Sequence, residues 1–515
     1  MRRHLLSFVA LATIVAAPVL PARADDPPTY FVGAATREIH PDAPGSPLEP
    51  GTAVQKGGSG LGDGSVIPPD VVGPGGAAAF EGERIAARAI VIGDGETAIA
   101  MATVETQGMF AAYQRGIPGL RDVALMVEEA TGGALPADNI VISNDHTHSG
   151  PDLIGAWGFV PDEYATFVAH QTRDAIIDAF ESRTEAFLTA GADWAPDIIY
   201  NQTCTEALNQ DQGATFPNDV CSPFAEGKDA WVRVLQATNA NTGETVATTL
   251  TFAAHATLGG GAGLHGDWPQ FVSEALAERY GGVGLAFQGA VGRTQPCRPR
   301  CGYTDRSRPG YDLEGRRDAY TTFLMYHAER ALLGAPPVAG PVAASKTFIR
   351  HEVTNPALFA LVQSGGTLGA PIARSLDAPW AIGNTVLMPT SALRVGDQLI
   401  LGAPGEAYPV IPAGVAEATN LPDRRVWTLG LADDQLGYLM APTEAYPPIL
   451  AQSPVNDNPL FNISPTVGDH VMCAQIRMAN AVGFETPEFR APPRCAAFDA
   501  FDAGMDGLGL SSPEG

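Results

Sequence analysis

Residues 139–155 run Asn-Ile-Val-Ile-Ser-Asn-Asp-His-Thr-His-Ser-Gly-Pro-Asp-Leu-Ile-Gly, an apolar stretch ending in two histidines and a Gly-Pro turn. Few stretches constrain a fold more. The Ile-Val-Ile run is a buried strand by its composition, and burying it carries His146 and His148 to the strand's mouth. Residues i and i+2 of an extended chain share a side, so the two imidazoles are expected to face one cavity.

Three other places share this design of an apolar strand, a turn and a residue able to bind metal. Thr-Thr-Leu-Thr-Phe-Ala-Ala leads to His255, Gln-Leu-Ile-Leu-Gly-Ala-Pro-Gly leads to Glu406, and Val-Trp-Thr-Leu-Gly-Leu precedes Tyr438. Ligands at the ends of several strands are how α/β scaffolds assemble a site. Each place also has a structural alternative: a hydrogen-bonded core histidine for His255, a surface acid or helix cap for Glu406, simple packing for Tyr438. Spacing alone does not bring the four together.

Helical and extended patterns alternate along the chain, which indicates an α/β (mixed α+β) fold of sheets flanked by helices, with the site at strand ends. Residues 86–108 read as two strands joined at Gly93-Asp94-Gly95. Residues 119–133, 163–183 and 268–282 have apolar positions at helical spacing, and 285–292 is a further strand. His170, inside the second helix, is expected to be a packed or surface histidine. The Pro- and Gly-rich residues 332–346 are a candidate linker, although candidate site residues lie on both sides of it. The glycine-rich 56–65 lacks the Gly-Lys-Ser ending of a phosphate loop and is expected to be a surface loop. The acidic, glycine-rich tail from about 498 to 515 is expected to fray.

Residues 1–24 have the form of a signal peptide: Arg2 and Arg3, an apolar centre from Leu5 to Leu20, and Ala22-Arg23-Ala24. The apolar stretch is broken by Pro18 and is short for a membrane span, so export to the periplasm or outside the cell is expected, with no integral membrane segment afterwards. Removing Arg2, Arg3 and Arg23 takes the formal net charge from −26 to −29, which argues against nucleic acid as a partner. The six cysteines, Cys204, Cys221, Cys297, Cys301, Cys473 and Cys495, all lie in the exported part. An even number there favours disulfides. Fifteen pairings exist; the simplest joins nearest neighbours, 204–221, 297–301 and 473–495. A zinc knuckle at Cys297 and Cys301 lacks a second ligand pair nearby.

The stretch His146-Thr147-His148-Ser149-Gly150-Pro151 resembles the histidine box of the neutral/alkaline (non-lysosomal) ceramidases, zinc amidases that cut the N-acyl bond of ceramide. Other segments fall in that family's order. Residues 30–41 are similar to its opening strand, and 255–268 to its second histidine box, with Asp267 at the acidic position. Residues 404–406, Pro-Gly-Glu, match its glutamate motif, and 430–438 the segment ending in its metal-binding tyrosine. The resemblance spans roughly residues 29–450, within a single catalytic domain from 25 to 515. It implies that His146, His255, Glu406 and Tyr438 hold one zinc per chain, that His148 is the catalytic partner, and that Asp267 and Gln202 support the site. The implied activity is zinc-dependent hydrolysis of the amide of ceramide or a related acyl lipid. A zinc hydrolase of another amide or ester, or a non-catalytic lipid-binding relative, are the alternatives.

The chain also departs from that family's pattern. Gly-Arg-Thr-Gln-Pro (292–296) stands where the family has Gly-Asp-Val-Ser-Pro, and Gln202 stands where an arginine is expected. The Gln-x-Tyr-Glu stretch is missing, with Tyr446 in a different context, and no C-terminal immunoglobulin-like domain is expected. The metal-binding positions are kept while the substrate side is rewritten.

Overall fold

The structure is a computed structural model that describes residues 28–49, 52, 54–57, 83–113, 116–155, 159–201, 227–258, 263–296, 313–355, 385–441, 462–487 and 492–508. Residues 1–24, most of the glycine-rich 56–65, Gln202, Tyr446 and four of the cysteines (Cys204, Cys221, Cys297, Cys301) lie outside the described residues.

The first half of the chain contains β1 (Tyr30–Glu38), β2 (Ala86–Gly93), β3 (Ala98–Val104), α1 (Leu120–Ala130), β4 (Ile140–Asn144), α2 (Asp162–Glu181), β5 (Thr184–Trp194) and β6 (Ile199–Asn201). It continues through β7 (Trp231–Asn239), β8 (Thr245–Phe252), α3 (Asp267–Tyr280), β9 (Val283–Gln288), β10 (Thr294–Pro296) and α4 (Leu313–Leu332). The second half adds β11 (Val342–Glu352), β12 (Thr385–Val395), β13 (Gln398–Gly402), β14 (Glu406–Ala407), α5 (Val410–Thr419), β15 (Val426–Leu429), β16 (Tyr438–Leu439), α6 (Val467–Ala481) and α7 (Cys495–Gly507).

Among the described residues, eight strands form one mixed sheet in the order β4-β3-β2-β1-β5-β7-β8-β9, and four form a second, β11-β12-β13-β15. The strands' period of two sorts their side chains into layers. On β2, Ile90 and Ile92 join Ile400, Trp427 and Leu429 of the second sheet in one cluster, whereas Ala87, Ala89 and Val91 turn to α1 and α2. On β13, Ile400 faces the first sheet while Leu399 and Leu401 face α5 and α6. The result is a helix–sheet–sheet–helix stack, the mixed α/β class that the alternating patterns indicate.

Close helix–sheet packing depends on small residues. A Cβ added at Gly191 of β5 would meet the Ala331 carbonyl oxygen of α4 at 1.8 Å, and one at Gly284 of β9 would meet the Ser273 oxygen of α3 at 1.9 Å. Neither position has room for a side chain.

The large sheet curls until its edges approach. Gln288, at the end of β9, donates through Nε2 to the Asp145 carbonyl beyond β4 at 2.8 Å. The segment following β15 stitches both edges. Gly430 N donates to Gln288 O at 2.9 Å, Asn144 N to Leu431 O at 3.1 Å, and Asp433 Oδ1 accepts from Ile142 N at 3.0 Å. Asp433 is also paired with Lys346 of β11 at 2.8 Å, both side chains being buried.

Residues 332–346 run from the end of α4 into β11, with Pro337 bridging to Thr189 and Val338 buried. Towards the C-terminus, α7 is tied down by the Cys473–Cys495 disulfide, one of the nearest-neighbour pairs, and by the stacking of His470 on Phe498 at 4.5 Å. No helix among the described residues is long and apolar enough to cross a membrane.

Removing one partner of a buried ion pair leaves the other uncompensated. Lys346→Met is therefore expected to lower unfolding free energy by about 3 kcal/mol, measured by urea denaturation. A change below about 0.5 kcal/mol, the scale of surface substitutions, would contradict the stitching role assigned to Asp433.

Candidate metal centre

His146 and His148 lie just beyond β4, and His255 just beyond β8. The chain is not extended where the two histidines of the first box lie. His146 has φ 55°, in the left-handed region that non-glycine residues rarely occupy. The same-side expectation for an extended chain therefore gives way to a turn. The imidazoles still meet, with ring centroids 5.1 Å apart for His146–His148, 5.2 Å for His146–His255 and 5.9 Å for His148–His255. One ligand atom from each lies within 4.8 Å of the others. The two loops are joined through the main chain, His148 N donating to Ala256 O at 3.1 Å.

Two backbone carbonyls fix the tautomers. His146 Nδ1 is 2.8 Å from Gln107 O, and His255 Nδ1 is 2.7 Å from Thr294 O. A carbonyl only accepts, so each Nδ1 carries the proton and each neutral ring keeps its Nε2 lone pair. Both Nε2 atoms face Glu406, at 2.9 Å for His255 and 3.4 Å for His146. A lone pair against a carboxylate oxygen is repulsive unless a proton or a cation lies between them. Burial disfavours the proton: it lowers the pKa of His146, against the pull of Glu406 and with the help of His255. The arrangement suits a cation.

Glu406 is brought in by a short parallel pairing, β14 with β16, which sets it directly opposite Tyr438. Burial alone would raise its pKa. His146, His255 and a hydrogen bond from Tyr438 outweigh that and hold it below the usual carboxylate range. His148 differs from its neighbours. It is partly exposed, yet its Nε2 is screened and has no hydrogen-bond partner among the described residues. Burial, then the like charges of His146 and His255, push its pKa well below the ordinary value.

Asp267 braces the loop leaving His255. Its Oδ1 accepts from Leu258 N at 3.2 Å and Trp268 N at 2.7 Å. His170, half-buried on α2, is not in the cluster. Sequence reasoning missed Gln107 and Thr294, because their carbonyls do the orienting and a carbonyl has no residue signature. Thr294 belongs to the Gly-Arg-Thr-Gln-Pro segment, so a stretch that departs from the ceramidase pattern holds His255 in place.

The three clustered imidazoles of His146, His148 and His255 could hold a metal ion, and the Glu406 carboxylate lies against two of them. Fold and site together define a mixed α/β scaffold with a buried imidazole–carboxylate centre at its strand ends. The neutral ceramidase of Pseudomonas aeruginosa has a similar fold, with a TM-score of 0.63 over 92% of this chain and 78% of its own, at 17% identity. A ceramidase structure complexed with C2 gives 0.63 over 91% and 77%, at 18% identity. No family model matches the chain, and no curated protein matches it. At such identities the likeness is one of fold.

Because burial keeps His146 neutral below the ordinary imidazole pKa of about 6.5, protons should compete poorly with a metal down to that pH. Calorimetric titration with a divalent transition metal is expected to give nearly the same affinity at pH 6.5 as at pH 7.5. A several-fold weakening across that interval would contradict the assignment.

Proposed function

We propose that this chain is an exported zinc-dependent hydrolase that cleaves the amide of an acyl lipid such as ceramide. The single observation that carries the reading is the pair of Nε2 lone pairs turned on Glu406, with both Nδ1 protons already donated to backbone carbonyls. The similarity of fold to two ceramidase structures supports the choice of reaction. The leader-like residues 1–24 and the Cys473–Cys495 disulfide favour an oxidising compartment.

His146, His255 and Glu406 would hold the ion, with Tyr438 completing the set. Zinc, when bound, supplies Lewis acidity that lowers the pKa of a water and polarises the scissile carbonyl. The chain's own residues do the rest. Gln107 and Thr294 keep the two imidazoles in the tautomer that can ligate. Glu406 offsets positive charge in a buried setting, and the Tyr438 hydroxyl orients it. His148, neutral at pH 7 because its pKa is depressed, takes at Nε2 the proton that the attacking water loses. It then returns that proton to the nitrogen of the departing amine, which otherwise leaves poorly.

The experiment is an acyl-substrate screen with and without chelator, scored by fatty-acid release from short-chain ceramides. Chelator-sensitive release is expected. Ester cleavage with no release from ceramide would contradict the amide reading. Among variants, His146→Ala and His255→Ala should be purified with far less than one zinc per chain. His148→Ala should keep its zinc and lose roughly 100-fold or more in kcat. Full zinc content in His255→Ala would remove that residue from the ligand set.

A further inference from the structure

The large sheet carries a second concavity at the end from which His255 leaves. Trp194 closes β5 and Trp231 opens β7, and the antiparallel pairing sets the two directly opposite each other. Two residues on, Arg233 pairs with Thr251 near the end of β8, and His255 follows just beyond. The cleft beside the tryptophans is open to solvent and encloses about 440 Å3. It lies where the first sheet meets the second layer, with Lys228, Asp229 and Arg233 on one side and Pro409 and Asp423 on the other. Seams between layers are where small-molecule sites commonly form.

The lining decides what can enter. The two indoles meet edge to face, with centroids 5.0 Å apart and planes at 63°. Trp194 is 41% exposed, so it offers an apolar ring to the cleft. The charged groups balance, Lys228 and Arg233 against Asp229 and Asp423, and their summed field selects neither a cation nor an anion. Arg233 forks onto both oxygens of Asp229 at 2.8 and 3.1 Å, and Lys228 Nζ donates to Pro196 O at 3.1 Å. Hydrogen-bonding capacity remains at two places. Arg233 Nε is buried without a partner, in a side chain that lines the cleft. The Asp423 carboxylate is hydrogen-bonded to no group among the described residues, and burial, then the charge of Asp229, push its pKa up against the pull of Arg233. A fitting ligand is therefore neutral, with a flat apolar face for the indole and hydroxyls for the carboxylate. A sugar ring in the chair form has both, since its C–H groups gather on one face and each hydroxyl donates as well as accepts.

We propose that the Trp194–Trp231 cleft binds a neutral pyranose unit, with Trp194 stacked on its C–H face and Asp423 accepting from its hydroxyls. The proposal does not depend on the hydrolase reading above. The same contacts serve a sugar carried as the headgroup of an acyl lipid and a sugar in a glycan separate from the substrate.

The test is titration of the full chain with lactose, maltose and cellobiose, read by calorimetry and tryptophan fluorescence. At least one of the three should bind with a Kd of about 1 mM and change the emission. Trp194→Ala and Asp423→Ala should each weaken that binding roughly 10-fold, and Trp194→Phe, which keeps a ring, should weaken it less. Both positions are exposed, so thermal melts of the variants should match the wild type and separate lost binding from lost folding. Octanoyl lactosylceramide and octanoyl ceramide distinguish the two sources. A preference for the glycosylated lipid that Trp194→Ala removes places the sugar on the lipid. Equal affinity for the two lipids, beside lactose binding that needs Trp194, assigns the cleft to a separate glycan. Absence of binding by all three disaccharides at about 10 mM overturns the proposal. So does binding unchanged in both Trp194→Ala and Asp423→Ala. Tighter binding of glucosamine or glucuronate than of glucose overturns the neutral class of ligand.

Discussion

Two main-chain carbonyls, Gln107 O and Thr294 O, govern the chemistry of the centre. By taking the Nδ1 protons of His146 and His255, they leave two lone pairs aimed at a carboxylate that is itself held ionised. A buried polar cluster of this kind is unfavourable when empty, because desolvated acceptors face one another. One positive ion converts those repulsions into attractions. The rest of the fold can be understood as the scaffold that holds these groups in place against their mutual repulsion.

That scaffold has to unite segments far apart in sequence. His146 leaves β4 at one edge of the large sheet, and His255 leaves β8 next to the other edge. They meet because the sheet curls and because Gly430 to Asp433 bond to both edges at once. The same segment continues to Tyr438, and β14 pairs with β16 beside it to deliver Glu406. The stitch that closes the sheet thus also supplies the oxygen side of the site. Gly430 is suited to this passage: a Cβ there would lie 2.4 Å from the Gly289 oxygen. Asp433, Lys346 and the left-handed φ of His146 are parts of one local solution, in which strain and buried charge are compensated by packing from both sheets.

Much of this was legible in the sequence, and the reasons are physical. Apolar runs with periods of 2 and 3.6 mark β2, β3, α1, α2 and α3, because burial on one face imposes those periods. The Asp94-Gly95 turn is written in residue type, Gly95 adopting φ 97°. His146, His148, His255 and Glu406 stand out as polar residues that follow buried strands, although their spacing alone does not bring them together. What stayed hidden depends on tertiary closure. No local pattern announces that β4 and β9 approach, that the 430–433 segment bonds both, or that the orienting groups are carbonyls. The departure of residues 292–296 from the ceramidase pattern looked like a change on the substrate side alone. In the folded chain Thr294 also supports His255, while Arg293 lies over the Tyr408 ring at 5.1 Å.

The central claim is that His146, His255 and Glu406 converge to hold one divalent ion through nitrogen and oxygen. X-ray absorption at the zinc K-edge of the zinc-loaded protein tests it most directly. The expected spectrum has a first shell of nitrogen and oxygen at about 2.0–2.1 Å, with the outer-shell scattering of two imidazole rings and no sulfur. A sulfur-containing shell at about 2.3 Å, or a spectrum without imidazole scattering, would place the ion elsewhere and contradict the account.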